Sequence, residues 1–101
     1  MALDGNSTVS PSVVSGTFTG TTAAQLLTLG FRPSWMVWYN QTDGDTLNVW
    51  HNSSTTTYIT ITTAAVTTTA TMTTTDHGIN LAASDAVGNE NTKVFVFFAG
   101  R

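Results

Sequence analysis

Few side chains in this sequence can do acid–base or metal chemistry: six carboxylates, two histidines, three basic residues and no cysteine in 101 residues. Without cysteine, thiol catalysis, disulfides and iron–sulfur sites are excluded. Asp43-Gly44-Asp45 sets two carboxylates one residue apart, a fragment of a calcium loop, but the longer ligand series closing on a bidentate acid does not follow. The same tripeptide is a hairpin signal, and a plain turn is the favoured reading. His51 and His77 stand 26 positions apart without a Cys or Glu at ligand spacing, so one chain supplies no zinc site. A ring of one histidine from each subunit about a symmetry axis is the arrangement that would gather imidazoles, and polar strand-end residues are the simpler reading.

Hydrolysis by a nucleophile needs a base and an orienting third group, and no serine or threonine is singled out by such neighbours. Glycosidase chemistry needs two carboxyls at a set gap. Asp43, Asp45, Asp85 and Glu90 all fall in turn-like sequence, with nothing to mark a pair. Neither Gly88 nor the Asp43–Asp45 turn belongs to a G-x-G-x-x-G or lysine-bearing phosphate loop. The expectation is a protein that is not an enzyme, with no catalytic residue, no cofactor and no metal. Trp35, Trp38, Trp50, Tyr39 and Tyr58 suggest a sugar-stacking platform, because exposed aromatics beside Asn and Asp are how lectin-like sites work. Alternation puts Trp38 opposite Trp35 and Tyr39, so part of the set at most can face one ligand. The ranking is core first, subunit interface second and glycan third.

These residues must be held by β-structure. Alternation is clear in Trp35, Val37 and Tyr39 against Met36, Trp38 and Asn40, and in Val94, Val96 and Phe98 against Phe95, Phe97 and Ala99. Strands are expected at Val13–Thr19, Gln25–Leu29, Trp35–Asn40, Leu47–His51, Thr56–Thr62, Ala65–Thr73, Gly78–Ala82 and Lys93–Ala99. The best helix candidate, Ala23 to Leu29, is too short to stand without strong packing. Threonine makes up about a fifth of the chain and is densest from Thr55 to Thr75. That stretch has no proline and interleaves Tyr58, Ile59, Ile61, Val66 and Met72, which marks sheet surface and not a mucin-like stalk. Gly30 marks a tight turn before Pro33, and Gln41 to Asp45 joins the third strand to the fourth.

The fold class that follows is all-β: a single small β-sandwich or jelly-roll-like domain of about eight short antiparallel strands over residues 12–101. Residues 1–11, with Asn6-Ser7-Thr8, carry no periodicity and are expected to form an N-terminal arm, ordered on a neighbour. The strands 35–40 and 93–99 are apolar on both faces and are expected to be buried on both, by a second sheet on one side and a loop or another subunit on the other.

Charged residues are only 9% of the chain, with a net charge of −3, against roughly 25% in an ordinary soluble domain. Arg32, Lys93 and Arg101 are too few and too scattered to neutralise a run of phosphates, so nucleic acid is not an expected partner. No apolar run approaches the length of a membrane span, and Met1-Ala2-Leu3-Asp4 does not begin a signal peptide, so the protein is expected to be made and used without Sec-type export.

Two stretches then stand out together. One is Leu29-Gly30-Phe31-Arg32-Pro33-Ser34-Trp35-Met36-Val37. The other is Asp76-His77-Gly78-Ile79-Asn80-Leu81, followed by Asn89-Glu90-Asn91-Thr92-Lys93-Val94-Phe95-Val96-Phe97-Phe98-Ala99. Residues 29 to 101 resemble small virion proteins of tailed bacteriophages, in which a Leu-Gly-Phe-x-Pro segment leads into a hydrophobic strand and an Asn-rich turn precedes a final aromatic strand. Asn91-Thr92 departs from the pattern, since Asn-Gly is more usual there. The resemblance implies a head decoration or cement protein that binds the major capsid protein, forms a homo-oligomer such as a trimer, and works mechanically at the capsid surface of the virion. The alternative that it carries is a tail-fibre or tail-tip domain, or a carbohydrate-binding adhesion module with host glycans as partners.

Overall fold

The computed structural model describes residues 13–54, 56–70, 72–83 and 87–101. The expected arm at 1–11 lies outside these residues, as does Asp85. The described chain holds nine strands: β1 Val13–Thr19, β2 Gln25–Thr28, β3 Trp35–Asn40, β4 Leu47–His51, β5 Thr57–Ile61, β6 Val66–Ala70, β7 Met72–Thr75, β8 Gly78–Leu81 and β9 Val94–Gly100. They form two antiparallel sheets, one of six strands in the order β1-β9-β3-β4-β5-β6 and one of three in the order β2-β8-β7. The fold is a small β-sandwich of unequal sheets, with β3 to β6 running as a simple meander.

Alternation places the core. Met36, Trp38, Trp50, Tyr58, Phe95 and Ala99 point inward from the large sheet and meet Leu27, Ile79, Leu81 and Met72 of the small one, joined by Leu29 and Phe31 from the connection that leads to β3. Ring packing is close, with Trp38 and Tyr58 centroids 4.8 Å apart and Phe18 stacked on Phe95 at 5.0 Å. Such pairs add about 0.5–1.5 kcal/mol each to the burial of their area. Gly30 and Gly44 take the left-handed φ values of 87° and 70° that their turns need. Gly78 is required for closeness instead: a Cβ there would lie 1.8 Å from the Leu27 carbonyl oxygen across the β2–β8 pair.

The single strand expected over Ala65–Thr73 is a correction. Its first half, β6, pairs with β5 in the large sheet, and its second, β7, pairs with β8 in the small one. Ala70 closes a strand of the large sheet and Met72 opens one of the small sheet, so the described residues hold nine strands where eight were expected. A run of Thr, Ala and Val is strand-forming on either side of that change and gives no local sign of where the sheet changes.

Buried polar residues fasten the long connection between β8 and β9 to the sandwich. The Asn48 amide donates to the Val87 carbonyl at 3.0 Å and the Trp38 indole to the Gly88 carbonyl at 3.0 Å. Asn89 is fully engaged: its amide donates to the Ala23 and Ala82 carbonyls, and its oxygen accepts from the Thr21 N–H and the Gln25 amide. Each bond removes a penalty that an unpaired buried polar group would carry.

Candidate functional site

Of the residues singled out for chemistry, Asp43 and Glu90 meet on the Asn40 amide, which donates to Asp43 Oδ2 at 3.1 Å and to Glu90 Oε1 at 3.5 Å, and the two histidines lie elsewhere. Asp43 caps its own turn: its backbone N–H donates to Asn40 Oδ1, its Oδ2 accepts from Asn40 Nδ2, and its Oδ1 meets Lys93 Nζ at 3.1 Å. Asp45 accepts a hydrogen bond from Thr46 Oγ1 at 2.9 Å. The carboxylate of Asp43 raises the pKa of Lys93 above its ordinary 10.5, first through the hydrogen bond and then through charge. Elsewhere on the surface, Arg32 Nη2 meets Asp76 Oδ1 at 2.8 Å and holds that carboxyl below its ordinary 3.8, again mainly through the hydrogen bond. His51 Nδ1 accepts from the Ser53 N–H, and His77 lies in the exposed β7–β8 turn. Among the described residues no three His, Asp or Glu side chains gather into a metal-sized group.

The proposed aromatic platform is divided by the sheet. Trp38, Trp50 and Tyr58 are core, and the Trp50 indole donates to the Ser54 carbonyl. Tyr39, with Trp35 partly covered beside it, points to the opposite side. Core packing, ranked first, accounts for three of the five.

What the sheet does bring together is apolar. The pairings align Thr17, Val96, Tyr39, Leu47, Ile61 and Val66 in one row across all six strands, and Ser15, Phe98, Val37, Val49, Ile59 and Thr68 in the next. Both rows lie on the face turned away from the small sheet. Val66 is 68% exposed, Phe98 48%, Ile59 43% and Tyr39 40%. Of the covers expected for strands 35–40 and 93–99, the second sheet lies on the inner face; among the described residues no further layer lies on the outer face, and the other expected cover, another subunit, lies outside a single chain. Each sheet face needs a layer of its own, and the second sheet of the described residues lies on the other side.

This face is also free of charge. No Asp, Glu, Lys or Arg occurs in any of the nine strands, so the charged side chains of the described residues all sit in connections or at the chain's end. At one end of the face, Val49, His51, Ser53, Ser54, Ile59 and Thr68 border a shallow, open depression of about 220 Å³. Its lining is aliphatic and hydroxyl groups with the His51 imidazole and Tyr58, and Tyr58 is buried in the core and offers no exposed ring to stack on a sugar.

No family model matches the chain, and no curated protein or solved structure does. Functional argument therefore returns to the face itself. Val66, Phe98, Ile59 and Tyr39 stand exposed on this face beside the half-buried Val37, Leu47, Val49 and Val96, and a contiguous apolar patch of this kind marks a candidate interaction site. Sequence reasoning found the second apolar face of β3 and β9. It did not find Leu47, Val49, Ile59, Ile61 and Val66 as its continuation, and the period-2 pattern in those strands was the available signal.

Proposed function

We propose that this chain is a virion structural protein of a tailed bacteriophage, a decoration or cement protein that binds the major capsid protein and stabilises the head. The observation that carries the reading is the uncharged apolar face of the six-stranded sheet, which suits a subunit used in assembly. The phage context comes from the resemblance of residues 29 to 101 to small virion proteins. Among the described residues, no convergent set of nucleophile, base and oxyanion donors competes with a structural role. In this role the protein works mechanically, at the outer surface of the particle: contacts that bridge neighbouring capsomers add to the work of separating them against internal DNA pressure.

Attachment to the shell is assigned to residues 2 to 11 or to an open sheet edge. Of the edges, β6 reads Val66-Thr67-Thr68-Thr69-Ala70, with neither proline nor charge to block addition of a strand from another protein. The test is uptake by particles assembled without this chain. Added protein is expected to saturate many equivalent positions on the head and to raise the temperature at which DNA is released. Removal of residues 2 to 11 is expected to lower occupancy while the circular dichroism spectrum is retained. Labelled protein found at the tail tip, or glycan-array binding lost on Tyr39→Ala, would replace this reading with the adhesion one.

A further inference from the structure

The open face of the large sheet needs an occupant, and we infer that it is the same face of a second copy of this chain, packed sheet to sheet about a two-fold axis. The inference deepens the assembly reading above and rests on it. Three observations select a second copy.

The first is area. Six strands at about 4.8 Å spacing, with three outward residues per strand about 6.8 Å apart, give a face of roughly 600 Å². Two such faces bury roughly 1,200 Å² before side-chain relief is counted, which reaches the lower bound of a stable specific interface. The second is charge. The two full rows across the face contain Val, Ile, Leu, Phe, Tyr, Thr and Ser, and the row beyond them adds Trp35 and His51, so superposing the face on itself opposes no carboxylate, ammonium or guanidinium and strands none of them as a buried ion. A partner chosen by charge complementarity would find nothing there to read.

The third is shape, which decides the symmetry. Facing sheets pack about 10 Å apart, so each lies about 5 Å from a two-fold axis between them. Around a three-fold axis, a flat sheet roughly 29 Å wide would sit about 8 Å from the axis at its centre. The central strands β3 and β4 present Val37 and Val49 there, side by side in register. Valine is too short to fill the extra distance, and a three-fold prism would enclose a channel along its axis. The two-fold pair has no such gap, and isologous contact also closes the assembly and leaves no copy of the face exposed.

The test is sedimentation of the full chain without capsid, from about 1 to 100 μM. The expected mass is twice that of the chain, unchanged in 1 M NaCl because no ion pair holds the face. Ile59→Glu and Phe98→Glu each place a carboxylate on the face at a position already substantially exposed, so both variants are expected to fold. Either should weaken the dimer at least a hundredfold. Leu26→Glu, 51% exposed on the small sheet, should leave it intact. Circular dichroism identifies which variants fold, and a folded one is decisive. A wild-type mass of one chain at 100 μM, a mass of three chains, or a dimer that survives in a folded Glu variant overturns the inference. Because no capsid is present, a failed dimer is distinguishable from failed capsid binding.

Discussion

Replacing Thr92 by glycine is expected to make the folded chain more stable by about 1 kcal/mol. Thr92 has φ +69°, the one positive value among the described non-glycine residues. It lies third in a turn closed by the Lys93 N–H donating to the Glu90 carbonyl at 3.2 Å, with its own N–H held by the Gly20 carbonyl at 3.0 Å. That conformation follows a residue of negative φ, which is the position where a type II turn takes glycine. An L-residue in the left-handed region costs about 1–2 kcal/mol, and a β-branched one stands at the upper end. Glycine removes that strain and returns about 0.5–1 kcal/mol as extra freedom of the unfolded chain. The balance is a gain of about 1 kcal/mol, or roughly 5 °C in Tm for a domain of this size. Differential scanning calorimetry reads it directly. Thr92→Asn should recover part of the gain, because asparagine tolerates the left-handed region. A glycine variant that melts at or below the wild type would refute the strain argument and assign the threonine side chain a stabilising role of its own.

Gly78→Ala should destabilise by about 3 kcal/mol or more in urea, since the new methyl cannot fit against the Leu27 carbonyl without separating β2 from β8. Asn89→Ala should cost about 3 kcal/mol on the same assay, because it deprives the Thr21 N–H and the Ala23 and Ala82 carbonyls of their shared partner. Asp76→Asn should leave Tm unchanged within error, the Arg32 pair being exposed. Asp76 has a lowered pKa, so its contribution is present above the unfolded value and fades as pH falls through the folded one, below 3.8. Lys93 has a raised pKa, and its contribution fades as pH rises through the folded value, above 10.5. Neither pair should therefore give stability a pH slope between about pH 5 and 9, which acid and alkaline melting curves check.

Much of this architecture is legible in the residues. Val13–Thr19, Trp35–Asn40 and Leu47–His51 end where the alternation and the turn residues say they should. Asn91-Thr92 announces itself as a departure from Asn-Gly, and the strained φ is the physical form of that departure. Three features are not legible, each for a stated reason. The change of sheet between β6 and β7 leaves no local sign in a Thr-rich run, so only the pairing partners reveal it. The burial of Asn48 and Asn89 is not marked by their neighbours in sequence, because it depends on partners up to 68 positions away. The open face is visible as apolar side chains in β3 and β9, but whether a second layer covers it depends on how many strands the small sheet can offer.

The place of β9 also governs how the chain can fold. The last strand in the sequence is inserted between β1 and β3, with Val13 paired to Gly100 and Trp35 paired to Gly100 on the other side. β1 therefore has no hydrogen-bonded neighbour in its sheet until residues 94–100 exist, and Phe18 has no Phe95 to stack on. During synthesis the meander β3–β6 and the β7–β8 hairpin can form early from local contacts, but the sandwich closes last, by threading its final aromatic strand into a waiting gap. Closure at such long sequence separation is slow, on the scale of milliseconds to seconds. Until β9 is in place, the nascent chain must hold the inner face of its large sheet away from neighbours.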